Sequence, residues 1–287
     1  MRHLLLLACC WVQLLSAQTA RAVASFSVDH ISDYPTVTFP VVFHFVARAD
    51  GLNFAQTTQD SLLLAHDGHE KLRAEIFMYY VLRELNGRFS SALLDAPTKD
   101  TRIRFVYRYP DRKPLRGARF YGYRDPVNYV ADALNIVITP YRGRGSAPSG
   151  STPGTGSNRI FIYNILERYL RGSHDTWMPA RIIAHEFGHT CGLDHTFKCD
   201  NPCAGVDLFP EQECYGRCTT NNTGSTSAGV NCHGGSAREL IMAYGSQVHL
   251  TRCELEQLWN YLITHPAPYQ HFDGPLPAVY TTVPAPY

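Results

Sequence analysis

Residues 185 to 195 read His-Glu-Phe-Gly-His-Thr-Cys-Gly-Leu-Asp-His, and no other stretch constrains the fold as tightly. His185 and His189 are four apart, so a helix stacks them on one face about a turn apart. Two imidazoles placed that way can grip one metal ion, and Glu186 stands beside the first of them, where a general base would sit. Gly192 lets the chain leave the helix sharply, and His195 comes back as a third imidazole. With 13 His and 21 Gly in 287 residues, chance assembles this pattern in roughly one such chain in 10^4. The competing reading is an amphipathic helix with hydrogen-bonded histidines and Gly192 as an ordinary C-cap.

A second element lies downstream. The run Glu239-Leu240-Ile241-Met242-Ala243-Tyr244-Gly245 puts a methionine 47 residues after His195, and the chain has only four Met, one of them the initiator. Taken alone, Met242 reads as a core filler and Tyr244 as a core aromatic with a hydrogen-bonded hydroxyl. Together with the histidines they resemble the signature of the metzincin metalloproteases, H-E-x-x-H-x-x-G-x-x-H followed by a methionine turn. The resemblance implies one catalytic Zn2+ held by His185, His189 and His195, with Glu186 as general base. It further implies Gly192 and Met242 as structural support and Tyr244 as a hydrogen-bond donor to a developing oxyanion.

Gly192-Leu193-Asp194-His195-Thr196-Phe197 is similar to the GLxHTF run of the pappalysin-like (M43) peptidases, and Pro40 to Val46 resembles the strand near the start of their catalytic domains. Two departures stand out. Ala243 occupies a place where many members carry an acid, and residues 205 to 210 only faintly match their Asp-Thr-Pro stretch. Ca2+ sites found in relatives therefore have no support from these residues. The likeness spans about residues 36 to 264, and its specific motifs are confined to 185 to 195 and 239 to 245.

The first 22 residues read as a secretory signal: Arg2, an apolar run from Leu4 to Leu15, then small residues for cleavage. The run is too short to span a bilayer. A lipid anchor through Cys9 is the minor alternative to secretion. Export makes disulfides the expected state of six of the seven remaining cysteines (Cys199, Cys203, Cys214, Cys218, Cys232 and Cys253), with Cys191 a buried odd thiol. Cys199, Cys203, Cys214 and Cys218 could instead hold a second zinc, as in archaemetzincins. Charge is nearly balanced, 26 Lys+Arg against 25 Asp+Glu, so nucleic acid is not recommended as a partner. A peptide or protein substrate is what the resemblance implies, and the oligomeric state is not legible.

Along the chain, residues 36 to 47 read as a core strand with Pro40 at an entry or edge position. His44 within it is expected to be packed rather than ligating. Residues 66 to 86 have helical spacing, with Leu72, Ile76, Tyr79, Tyr80 and Leu82 on one face and Gly87 as the stop. Residues 101 to 109 alternate as a half-buried strand, and 134 to 140 and 158 to 163 read as strands. The Gly/Ser-rich stretch 142 to 157 reads as a surface loop. Asp175 or Thr176 is expected to cap the helix bearing the histidines, and residues 251 to 263 form a final helix. The organisation is thus a signal over 1–22, a short N-terminal or pro segment over 23–35, a metzincin-type domain over 36–264 and a Pro/Tyr-rich tail over 265–287. The pro segment holds no Cys, though Asp29 or Asp33 could cap the metal. The expected fold is α+β: a mixed twisted sheet, the active-site helix, an irregular disulfide-bearing C-terminal part and the last helix. The leading functional expectation is a secreted zinc endopeptidase, against an archaemetzincin-like two-zinc peptidase or a catalytically silent zinc-binding protein.

Overall fold

The axis of the fold is a ten-residue strand, β1 (Val37–Val46). The structure, a computed structural model, describes residues 26–54, 73–93, 98–108, 117–140, 148–171, 176–195, 240–242 and 247–277. Aromatic and β-branched residues fill most of β1, and successive side chains point to opposite faces, so two faces are available for packing. Phe39, Phe43 and Phe45 face the helices, where they meet Phe187 or Phe77. One edge of β1 pairs in parallel with β2 (Ile103–Tyr107) and then β3 (Ala118–Tyr121). The other carries β7 (His271–Phe272), antiparallel, and β4 (Leu134–Thr139), parallel. Beyond β4 lie β6 (Arg159–Tyr163), parallel, and the terminal antiparallel strand β5 (Ser149–Ser151).

Pro40 lies mid-strand rather than at an entry. Residues 39 and 40 fall between the parts of β1 covered by β7 and by β4. The Val37 N–H points to the β2 side, so an N–H at position 40 would point into that gap, and proline forfeits no ladder bond there.

The helices are α1 (Ala74–Ser90), α2 (Ile165–Leu170), α3 (Trp177–Thr190) and α4 (Arg252–Thr264). Helix α1 runs through Gly87 to Ser90, because Phe89 is buried and the Ser90 and Ser91 hydroxyls donate to the Gly87 carbonyl. Its buried stripe is Phe77, Met78, Val81, Leu82, Leu85 and Phe89, while Tyr79 is 55% exposed. The buried face is rotated from the expected one because a tyrosine's hydroxyl lets it face solvent, as Tyr79 does. At the start of α3, Thr176 occupies the cap position with helical backbone and no side-chain cap bond. Helix α4 opens with a full capping box between Thr251 and Glu254.

Both ends of the described chain pack on the domain. Phe26 stacks on Trp259 at 5.1 Å, its N–H donates to Asn260, and Val28, Ile31 and Tyr34 are buried beside it. Asp29 pairs with Arg252, at the start of α4. At the other end, residues expected to form an external tail return to the sheet as β7, with Tyr269 buried against Phe39. Such a return gives the open side of β1 backbone partners it would otherwise lack.

His44 lies on the face of β1 opposite the helices. It is fully buried, its Nε2 2.9 Å from Asn135 Oδ1 and its Nδ1 3.1 Å from the Tyr121 hydroxyl. Burial holds it neutral, pushing its pKa down to about 4 although the Asn135 hydrogen bond pulls the other way. Cys191 is buried and free, as expected. Cys199, Cys203, Cys214, Cys218 and Cys232 lie outside the described residues.

Candidate metal centre

Helix α3 delivers the first two imidazoles. It lies against β5 and β6 and is anchored by Phe187, which meets Phe39, Phe89 and Phe105 edge-on at 4.9–5.7 Å. Its end is a Schellman motif: Leu193 N–H donates to the Gly188 carbonyl and Gly192 N–H to that of His189. Gly192 adopts φ +82, the left-handed conformation this cap needs. The reversal swings His195 back over the helix.

The three Nε2 atoms form a triangle with 3.2 Å on every side. His185 and His189 stand at 88° to each other, His189 and His195 at 87°. Three tetrahedral nitrogens at 2.0–2.1 Å from a zinc ion lie about 3.3–3.4 Å apart, so the triangle has the right size. Hydrogen bonding behind the rings gives a second, independent fit. His185 Nδ1 lies 2.7 Å from the Ile241 carbonyl and His189 Nδ1 2.7 Å from the Leu193 carbonyl. A carbonyl can only accept, so each Nδ1 carries the hydrogen and each Nε2 presents a lone pair. Two lone pairs then face each other at 3.2 Å with no proton between them. A cation among the three nitrogens relieves that repulsion.

Burial, reinforced by His189, pushes the His185 pKa down to about 3, which keeps it neutral and ready to ligate. Glu186, 7% exposed, has its carboxyl pushed up to about 7 by burial. The nitrogens open into a cleft of about 730 Å³ lined by Glu186, Arg181, Asp194, Gln247 and the β5 strand. Residues 127–259, which carry this centre, match the model of the peptidase M43 family, described as pregnancy-associated plasma protein-A. That stretch is similar to a pappalysin-like (M43) metzincin domain. The family implies a zinc metallopeptidase acting on peptides or proteins. No curated protein matches the chain.

Met242 is fully buried under α3. A Cβ placed on Gly188 would collide with the Met242 sulfur, so the methionine lies directly beneath the helix between the two ligating turns. Tyr244 lies outside the described residues.

Three features escaped the sequence reading. Gly150, inside the supposed loop, lies so close to α3 that a Cβ there would overlap Ile182 and come within 2.8 Å of Glu186 Oε1. The same wall is tied to the end of α3 by the Gly156 N–H, which donates to the Thr190 carbonyl at 2.8 Å. Behind His185, Gln247 and Arg88 form a buried polar pair. A glycine inside a helix, Gly188, and another amid serines, Gly150, were the available signals of close backbone approach.

Proposed function

We propose that this protein is an exported zinc-dependent endopeptidase. One observation carries the reading: three imidazole nitrogens converge at 3.2 Å beside a buried carboxyl, at the floor of an open cleft. A bound zinc ion supplies a Lewis acid that polarises a carbonyl and makes water acidic near neutral pH. His185, His189 and His195 hold that ion through Nε2. Glu186 takes the proton from the attacking water and passes it to the departing amine. Its dry surroundings raise its basicity, which suits a base working near neutral pH. Tyr244, two residues beyond Met242, is assigned the donor role toward the developing oxyanion. Among the described residues β5 is the terminal strand and borders the cleft, so an extended peptide would bind by adding to its edge. Export is supported by the signal-like first 22 residues.

The test is a metal analysis of the purified protein together with mass spectrometry of a peptide library digested with and without a chelator. One zinc per chain, and cleavage that the chelator stops and added zinc restores, are expected. Zinc without cleavage would instead indicate a silent zinc-binding protein, and two zincs the archaemetzincin-like arrangement. A chain that stays metal-free and inert in added zinc overturns the proposal.

A further inference from the structure

The carbonyl that orients His185 is itself held from behind. It belongs to Ile241, next to Met242, and accepts from His185 Nδ1 at 2.7 Å. Gln247 folds back onto the same point: its side-chain nitrogen donates to the Ile241 carbonyl at 3.2 Å, so two donors, 2.8 Å apart, converge on one oxygen. To reach it, Gln247 adopts φ +54, a left-handed backbone that non-glycine residues seldom take up. Arg88, from α1, fixes that backbone by donating Nη1 to the Gln247 carbonyl at 2.7 Å. Its guanidinium also lies 4.7 Å over the ring of Trp177, the first residue of α3. Gln247 and Arg88 are only 4% and 6% exposed. Packing alone gives no reason to bury two such polar side chains, since apolar residues fill space at lower cost. What the pair does is immobilise the acceptor of a ligating histidine.

We infer that Gln247, itself fixed by Arg88, is a positioning residue that sets the aim of His185 toward the metal through the Ile241 carbonyl. The inference rests on the proposed zinc site. Partners behind a ligating histidine typically change metal affinity 10- to 100-fold when removed.

The variants are Gln247→Met, Gln247→Asn, Arg88→Met and Arg88→Lys, each titrated with zinc in competition with a chromophoric chelator. The visible spectrum of the cobalt(II)-loaded protein and thermal unfolding in excess chelator accompany each titration. Gln247→Met and Gln247→Asn should weaken zinc binding about 10- to 100-fold and shift the cobalt bands, with a smaller change in the unfolding of the chelated protein. Asparagine tolerates the left-handed backbone but falls one methylene short, so it keeps the test valid if the other variants do not fold. Arg88→Lys still offers a donor to the carbonyl and should bind zinc more tightly than Arg88→Met. Folded Gln247 variants with the wild-type zinc constant and cobalt spectrum would overturn the inference. Failure of the wild-type protein to bind zinc would overturn the proposed site instead.

Discussion

Glu186 shows how one side chain acquires a task from its surroundings. Burial lifts its carboxyl to about 7, and a neighbouring cation would draw it back toward ionisation. Glu186→Gln keeps the volume and removes the base, so zinc should stay bound while kcat/KM drops at least about 100-fold. Peptide cleavage at the wild-type rate in that variant would assign the base elsewhere. His44 makes the opposite case, a histidine whose position has nothing to do with chemistry. Its folded pKa of about 4 lies below the ordinary 6.5. Between those values the unfolded chain binds a proton that the folded chain refuses, so stability falls as pH drops through that window. The loss attributable to His44 should be about 2 kcal/mol at pH 5 relative to pH 7. His44→Gln keeps a donor and an acceptor for Asn135 and Tyr121, and urea titrations should show a correspondingly shallower acid loss. The three converging histidines were legible because helix geometry imposes a spacing on residues that could share an ion. Gln247 and Arg88 were not, since they stand 159 residues apart and meet only in the folded chain.

At the scale of elements, β5 was the largest surprise. Its Ser-Gly-Ser sequence has neither alternation nor β-branching, so composition placed it in a loop. Pairing with β6 and contact with α3 override that weak propensity. Gly150 is what permits the contact. Gly150→Ala should destabilise the domain by about 1–3 kcal/mol through overpacking. It should also displace Glu186, lowering kcat more than zinc affinity, as steady-state kinetics and metal titration would show. A variant with unchanged stability and turnover would mean that the strand yields freely. Strands β1, β4 and β6 were readable because buried parallel strands carry continuous apolar runs. Helix α1 was readable as a helix but not in its facing, because a tyrosine serves core and surface alike.

For the molecule as a whole, topology was the least legible level. Nothing in the spacing of strands says that β1 pairs with β2, β3, β4 and β7 together. Short Pro-, Asp- and Tyr-rich segments lack periodicity and so suggest appendages, yet Trp259 is flanked by Phe26 and Phe272. A chain ending at His265 loses β7 and Tyr269. Its unfolding temperature should fall by roughly 10 °C, and a chain starting at residue 36 should suffer comparably. Calorimetry of either truncation with an unchanged midpoint would show that these contacts contribute little. Cys191 carries a different consequence. The thiol is 4% exposed, and burial pushes it up to about 12, so at pH 8 almost none of it is nucleophilic. Alkylating reagents therefore reach it only when the end of the histidine-bearing helix opens. The rate at which iodoacetamide labels Cys191 becomes a built-in clock for that opening, at the base of the turn that carries His195.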